Sequence, residues 1–122
     1  MDEFDRISVQ ISALLLYIFY PFFVIASGLL PAVLDVSAIF VVVCLVRESL
    51  NHVEVGNVQA LECVRIRLSN FTIFLNLFVY LLPDSKLDLN NLVSVFFYIA
   101  YNFLVLIHLK LLDHIVKTHR NI

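Results

Sequence analysis

Charge is what this chain has least of. Only 15% of its 122 residues are Asp, Glu, Lys or Arg, against about 25% in a soluble domain. Glycine and proline are also scarce, at two and three, which argues against long flexible linkers. There are two cysteines, Cys44 in an apolar run and Cys63 in a mixed segment. They fit neither a CxxC pair nor a metal-ligand spacing, so they read as two reduced thiols. A basic start is missing: Met-Asp-Glu-Phe-Asp-Arg is net acidic, unlike a secretory signal peptide, and the apolar run behind it reads as retained. No basic tract or aromatic–basic surface suggests nucleic acid. No nucleophile has a plausible base, and there is no paired-carboxylate cluster, phosphate loop or metal quartet. No enzyme, cofactor or metal is therefore expected.

Apolar residues fill the space that charge leaves. They make up 61% of the chain, and its mean hydropathy is +0.95. So short a chain has too little interior to hide that much apolar surface from water. Lipid is its natural solvent. There is no internal repeat and no low-complexity tract, so residues 1–122 read as one transmembrane domain.

The apolar runs set the architecture. From Ile7 to Val46 there are forty residues with one charge, Asp35. A spanning helix needs about 20 residues, so this stretch predicts two helices, with Gly28 and Pro31 marking the turn between them. Residues 47–67 are mixed, with Leu50, Val53, Val58, Leu61 and Val64 at near-helical spacing and Gly56-Asn57 interrupting them. That pattern predicts two helix extensions meeting at a polar turn. A third uncharged run, Leu68 to Pro83, leads to a turn at Pro83-Asp84-Ser85-Lys86. Asp88 or Asn90 then caps a fourth run, Leu89 to Leu109. The tail from Lys110 continues that last helix. The fold class is all-α: a polytopic membrane protein with four transmembrane helices, about 7–29, 31–47, 66–83 and 89–110, arranged as two antiparallel hairpins. Helical extensions lie at 47–67 and at the C-terminus. With four spans, Arg6, Arg47, Arg65, Arg67, Lys110, Lys117 and Arg120 fall on one side and only Lys86 on the other. The basic side faces the cytoplasm, so both termini and the central loop are expected there, in a bacterial inner membrane or, as the alternative, an organelle membrane.

The informative polar residues lie inside the apolar runs. At about 3.6 residues per turn, Asn91, Ser94, Tyr98 and Asn102 share one face of the fourth helix, with Tyr101 and His108 beside them. Ser69, Thr72, Asn76 and Tyr80 share a narrow face of the third, and Glu62 and Arg65 extend it. If the turn between these helices centres near Leu87, Tyr80 lies beside Ser94, Asn76 beside Tyr98 and Thr72 beside Asn102. The first helix has a weaker seam, Gln10, Tyr17 and Tyr20. Polar groups facing lipid tails are costly, so such seams should face protein or water. They read as interhelical glue before they read as a cavity or conduction path. Asp35 is a candidate ion or proton site, since an ionisable group inside a membrane segment is a functional candidate. The plainer reading is that it caps the second helix and meets water near the interface. His108 has no second ligand in a membrane segment, and His114 and His119 are five apart rather than four. His108 therefore reads as a snorkelling or solvated histidine. Pro21 is expected to kink the first helix by freeing the Tyr17 carbonyl.

Function follows from chemistry that is missing. The expected role is a non-catalytic subunit, stabiliser or assembly partner of a membrane complex, in contact with membrane lipid and with other subunits or its own copies. The alternative is a small oligomeric pore, channel or carrier, including lysis, immunity or defence types, using the seams or Asp35.

Overall fold

The computed structural model describes residues 3–28, 31–81 and 92–120. These residues form four α-helices: α1 (Glu3–Ser27), α2 (Ala32–Val55), α3 (Val58–Leu81) and α4 (Leu92–Arg120). Each helix lies against the next, and α4 closes the ring by packing most extensively on α1. Among the described residues no Cα pair comes within 8 Å across either diagonal, α1 to α3 or α2 to α4. Successive helices run in opposite directions: Ser12 meets His108 while Tyr20 meets Tyr101, and Arg65 meets Asp113 while Asn76 meets Asn102.

The turn between α2 and α3 falls where Gly56-Asn57 placed it. Gly56 takes φ 79°, the left-handed conformation that only glycine adopts without cost, and the amides of Gly56 and Asn57 both bond to the His52 carbonyl. The Asn57 side chain then accepts from the Ala60 amide at 3.2 Å, capping α3. The segments on either side of the turn are helical, and they have a core of their own: Val9, Val53, Leu61, Leu112, Ile115 and Val116. Gly28 takes φ 62° where α1 ends, and Pro31 precedes the first residue of α2. α1 runs unbroken through Pro21. The expected turn at Pro83–Lys86 and the caps at Asp88 or Asn90 lie outside the described residues, as does Asn91.

Every helix buries a stripe spaced by threes and fours, as one face of an α-helix must. In α1 the stripe is Val9, Ser12, Leu16, Tyr20, Val24 and Ser27; in α4 it is Tyr101, Val105, His108, Leu112 and Ile115. The stripes meet along the bundle axis, where Leu16, Tyr20, Val42, Leu68, Tyr101 and Val105 pack together. The outer faces carry Leu14, Ile18, Phe22, Phe40, Phe74, Leu77, Phe96 and Phe103, all exposed.

Three helices, α1, α3 and α4, are long and apolar enough to cross a membrane; α2 is not among them. The reason is visible in its sequence. Its uncharged stretch, Val36 to Val46, lies between Asp35 and Arg47. At about 1.5 Å per residue it covers roughly half of the ~30 Å hydrocarbon layer.

Candidate functional site

The most buried polar side chain in α4 is His108, at 0% exposure. The expectation of a snorkelling or solvated histidine is therefore wrong. His108 lies three residues after Val105 and four before Leu112, on the buried stripe of its helix rather than at its edge. Its Nδ1 is 2.7 Å from Ser12 Oγ on α1, and its Nε2 is 3.0 Å from Ser49 Oγ on α2. One imidazole thus ties three helices together and spans the α2–α4 diagonal that no backbone contact bridges. Both serines have a second partner within their own helix: Ser12 Oγ lies 2.9 Å from the Val9 carbonyl, and Ser49 Oγ 2.6 Å from that of Val46. In a neutral imidazole one ring nitrogen donates and the other accepts. One serine therefore accepts from the ring and the other donates to it, and the backbone carbonyls hold whichever hydroxyl proton the ring does not take.

The seams of α3 and α4 come together in part. Tyr98 Oη donates to Asn76 Oδ1 at 2.5 Å, Asn76 Nδ2 donates to Asn102 Oδ1 at 3.1 Å, and Asn102 Nδ2 donates to the Tyr98 carbonyl at 2.9 Å. Three of the six seam residues thus form one connected network between the helices. Thr72 bonds instead to the Leu68 carbonyl of its own helix, at 2.8 Å. It shares a groove with Asn102 without a hydrogen bond to it. Tyr80 is 78% exposed, and Ser94 is partly buried. The network does not lie on the bundle axis, which Leu68, Leu75, Tyr101 and Val105 occupy. It lies on the flank of the α3–α4 interface. There Ser69, Thr72, Ile73, Asn76, Asn102, Leu106 and Leu109 line an outward-opening groove of about 250 Å³. Gln10 of the weaker α1 seam is exposed, whereas Tyr20 is buried edge-on to Tyr101, 5.6 Å between ring centres.

Asp35 is 7% exposed in the first turn of α2, where a negative charge suits the helix dipole. Its side chain does not cap the helix, and its Oδ1 is buried with no hydrogen-bond partner among the described residues. The expectation that the Asp35 side chain caps α2 is thus not met. It is close enough to Tyr20 and Tyr101 to act on both electrostatically.

Ion pairs gather at the end of the bundle where the extensions lie. Asp113 on α4 is 3.8 Å from Arg65 Nε on α3 and 3.2 Å from Lys117 one turn along its own helix. His119 Nε2 lies 3.5 Å from Asp5 of α1. Cys44 and Cys63 are unpaired thiols on the outside.

Sequence reasoning missed the Ser12–His108–Ser49 bridge. The signal was present, because all three residues sit on the stripes spaced by threes and fours that the large apolar residues define. What directed attention elsewhere was the grouping of His108 with the seam beside it. Comparison with family models, curated proteins and solved structures finds no match for this chain.

Proposed function

We propose that this chain is an integral membrane protein with four membrane-spanning helices that acts as a non-catalytic subunit, stabiliser or assembly partner of a membrane complex. On this reading α2 crosses with the others, its Asp35 sheltered by α1 and α4. Both termini and residues 47–67 lie in the cytoplasm, in a bacterial inner membrane or an organelle membrane. The observation that carries the reading is how the polar groups are disposed. Inside the bundle Ser12, His108 and Ser49 bond to one another across three helices, and large side chains fill the axis, while Phe, Leu and Ile form the outer surface. That arrangement suits a scaffold in lipid, where packing and interhelical hydrogen bonds drive association. The flanking amides of Asn76 and Asn102 face a groove that a partner or lipid can cover.

Gentle detergent extraction and mass spectrometry of what co-purifies tests the proposal. Unrelated membrane subunits in fixed ratio are the expected result. The buried Oδ1 of Asp35, which has no partner among the described residues, favours a second reading, the oligomeric pore or carrier. Ion flux through liposomes containing only this protein, abolished by Asp35→Asn, would establish the pore and overturn the first reading. On the first reading Asp35→Asn is mild.

Topology has its own test. In a background lacking Cys44 and Cys63, a cysteine at position 57 should react only with reagents that reach the cytoplasm, and one at position 85 only with reagents applied outside. Labelling at position 57 from the outer face would remove the four-span arrangement.

A further inference from the structure

Below the ion pairs of Asp113, a second groove of about 390 Å³ opens between α3 and α4. Arg65, Lys110, Asp113, His114 and Lys117 line its mouth. It shares Leu106 and Leu109 with the groove that runs down to Asn76 and Asn102, so the two form one continuous furrow. The mouth holds three cations, Arg65, Lys110 and Lys117, against one carboxylate, Asp113. That carboxylate is already engaged by two of them. Arg65 Nε is buried and makes no hydrogen bond among the described residues; its approach to Asp113 is an ion pair at 3.8 Å. A guanidinium presents its donors in a planar fork suited to phosphate oxygens, and the Arg65 side chain keeps 28% of its surface exposed.

The furrow changes character along its length. Past the cations come the hydroxyls of Ser69 and Thr72 and the apolar walls of Ile73, Leu106 and Leu109. Asn76 and Asn102 each use one amide hydrogen within the protein, which leaves one more on each. From Arg65 to Asn76 is eleven residues of one helix, about 16 Å at 1.5 Å per residue. The site is thus cationic at the top, polar just beneath and apolar along its sides. Both helices that form it are long and apolar enough to cross a membrane. That sequence of chemistries matches a phospholipid entering from one leaflet, and basic pockets between helices on the cytoplasmic side are suited to anionic head groups.

We propose that the α3–α4 furrow binds an anionic phospholipid, its phosphate held among Arg65, Lys110 and Lys117 and an acyl chain lying along Ile73, Leu106 and Leu109. The proposal rests on the membrane-spanning reading above, and it gives that reading a specific lipid partner. A partner helix in the same furrow is the competing occupant, but a cation-rich mouth favours phosphate over an apolar helix.

The test uses the full chain in nanodiscs holding equal phosphatidylglycerol and phosphatidylcholine, with retained lipid weighed by native mass spectrometry. Preferential retention of phosphatidylglycerol is expected. Lys110→Gln with Lys117→Gln should weaken that retention about thirtyfold, the effect of two cations at a membrane surface. Lys110→Arg with Lys117→Arg should preserve it, which separates loss of charge from loss of fold. Arg6→Gln, on the exposed side of α1, should leave it unchanged. Inorganic phosphate should not displace the lipid, because it cannot use the apolar walls. Equal retention of the two lipids, an undiminished preference in the double glutamine variant, an equal loss in Arg6→Gln, or displacement by phosphate would each overturn the assignment. So would a glutamine variant that changes only the oligomeric state or co-purifying subunits, since that points to a helix in the furrow. The parent reading is checked separately. A chain that alkaline carbonate strips from membranes fails as a membrane protein, whereas a resistant chain without lipid preference fails here alone.

Discussion

Removing the two serines that flank His108 should harm the bundle more than removing the histidine's polarity. In Ser12→Ala with Ser49→Ala, both ring nitrogens lose their partners while the imidazole stays fully buried. A buried polar group left unsatisfied costs about 1–3 kcal/mol, so the double variant should lose roughly 2–5 kcal/mol of stability. In His108→Leu the outcome differs. Each serine falls back on the carbonyl within its own helix, Val9 or Val46, and leucine refills most of the space. That variant should lose about 1–2 kcal/mol, the value of two ordinary hydrogen bonds and an imperfect fit. His108→Ala adds a cavity and should cost about 3 kcal/mol or more. Reversible unfolding in detergent micelles, followed by helical circular dichroism, measures all of these. If His108→Leu proved as damaging as the serine double variant, the fallback bonds would not be operating and the argument would fail.

The second large effect belongs to Asn76. Its side chain accepts from Tyr98 Oη and donates to Asn102 Oδ1, so Asn76→Leu leaves a phenol and an amide oxygen unmet on the α3–α4 flank. A loss of about 2 kcal/mol is expected, more than the ~0.6 kcal/mol of an average interhelical hydrogen bond in a membrane, because two partners are orphaned at once. Adding Tyr98→Phe and Asn102→Leu should restore part of the loss instead of adding to it, since apolar groups then face apolar groups. Apolar replacement of Asn76 and Asn102 alone keeps the Tyr98 hydroxyl unmatched and should remain weakened. The same unfolding measurement applied to the single, double and triple variants settles the matter. A steady, additive decline through the series would show that the three residues do not act as a network.

Why one of these networks was legible in the sequence and the other was not has a physical explanation. The Asn76–Tyr98 meeting depends on two helices joined by a short connection. Helices so close in sequence pair side by side and antiparallel, and polar residues at 3.6-residue spacing show which face they share. The His108 bridge joins positions 59 and 96 residues away, on helices that are not its sequence neighbours in the hairpin. Nothing local orients α1 and α2 around α4; only the closing of the ring does. The groove has the same origin. Ser69, Thr72 and Asn102 were placed on the correct faces by periodicity. That those faces meet on the flank, leaving the axis to Leu68, Tyr101 and Val105, depends on how far each helix rotates when four packed stripes are buried at once.

By itself the sequence determined the number of helices, the polar turn at Gly56-Asn57, the continuation of α2, α3 and α4 beyond their apolar runs, and the sharing of faces within α3 and α4. Those are properties of composition and local periodicity, which act over one or two turns of a helix. Tertiary structure alone decided that His108 is buried between two serines, that Asp35 turns an oxygen inward instead of capping α2, and that Arg65, Lys110, Asp113 and Lys117 gather at the head of one furrow. A side chain's surroundings depend on residues brought from distant parts of the chain, and which of them arrive is set by the joint packing of all four helices.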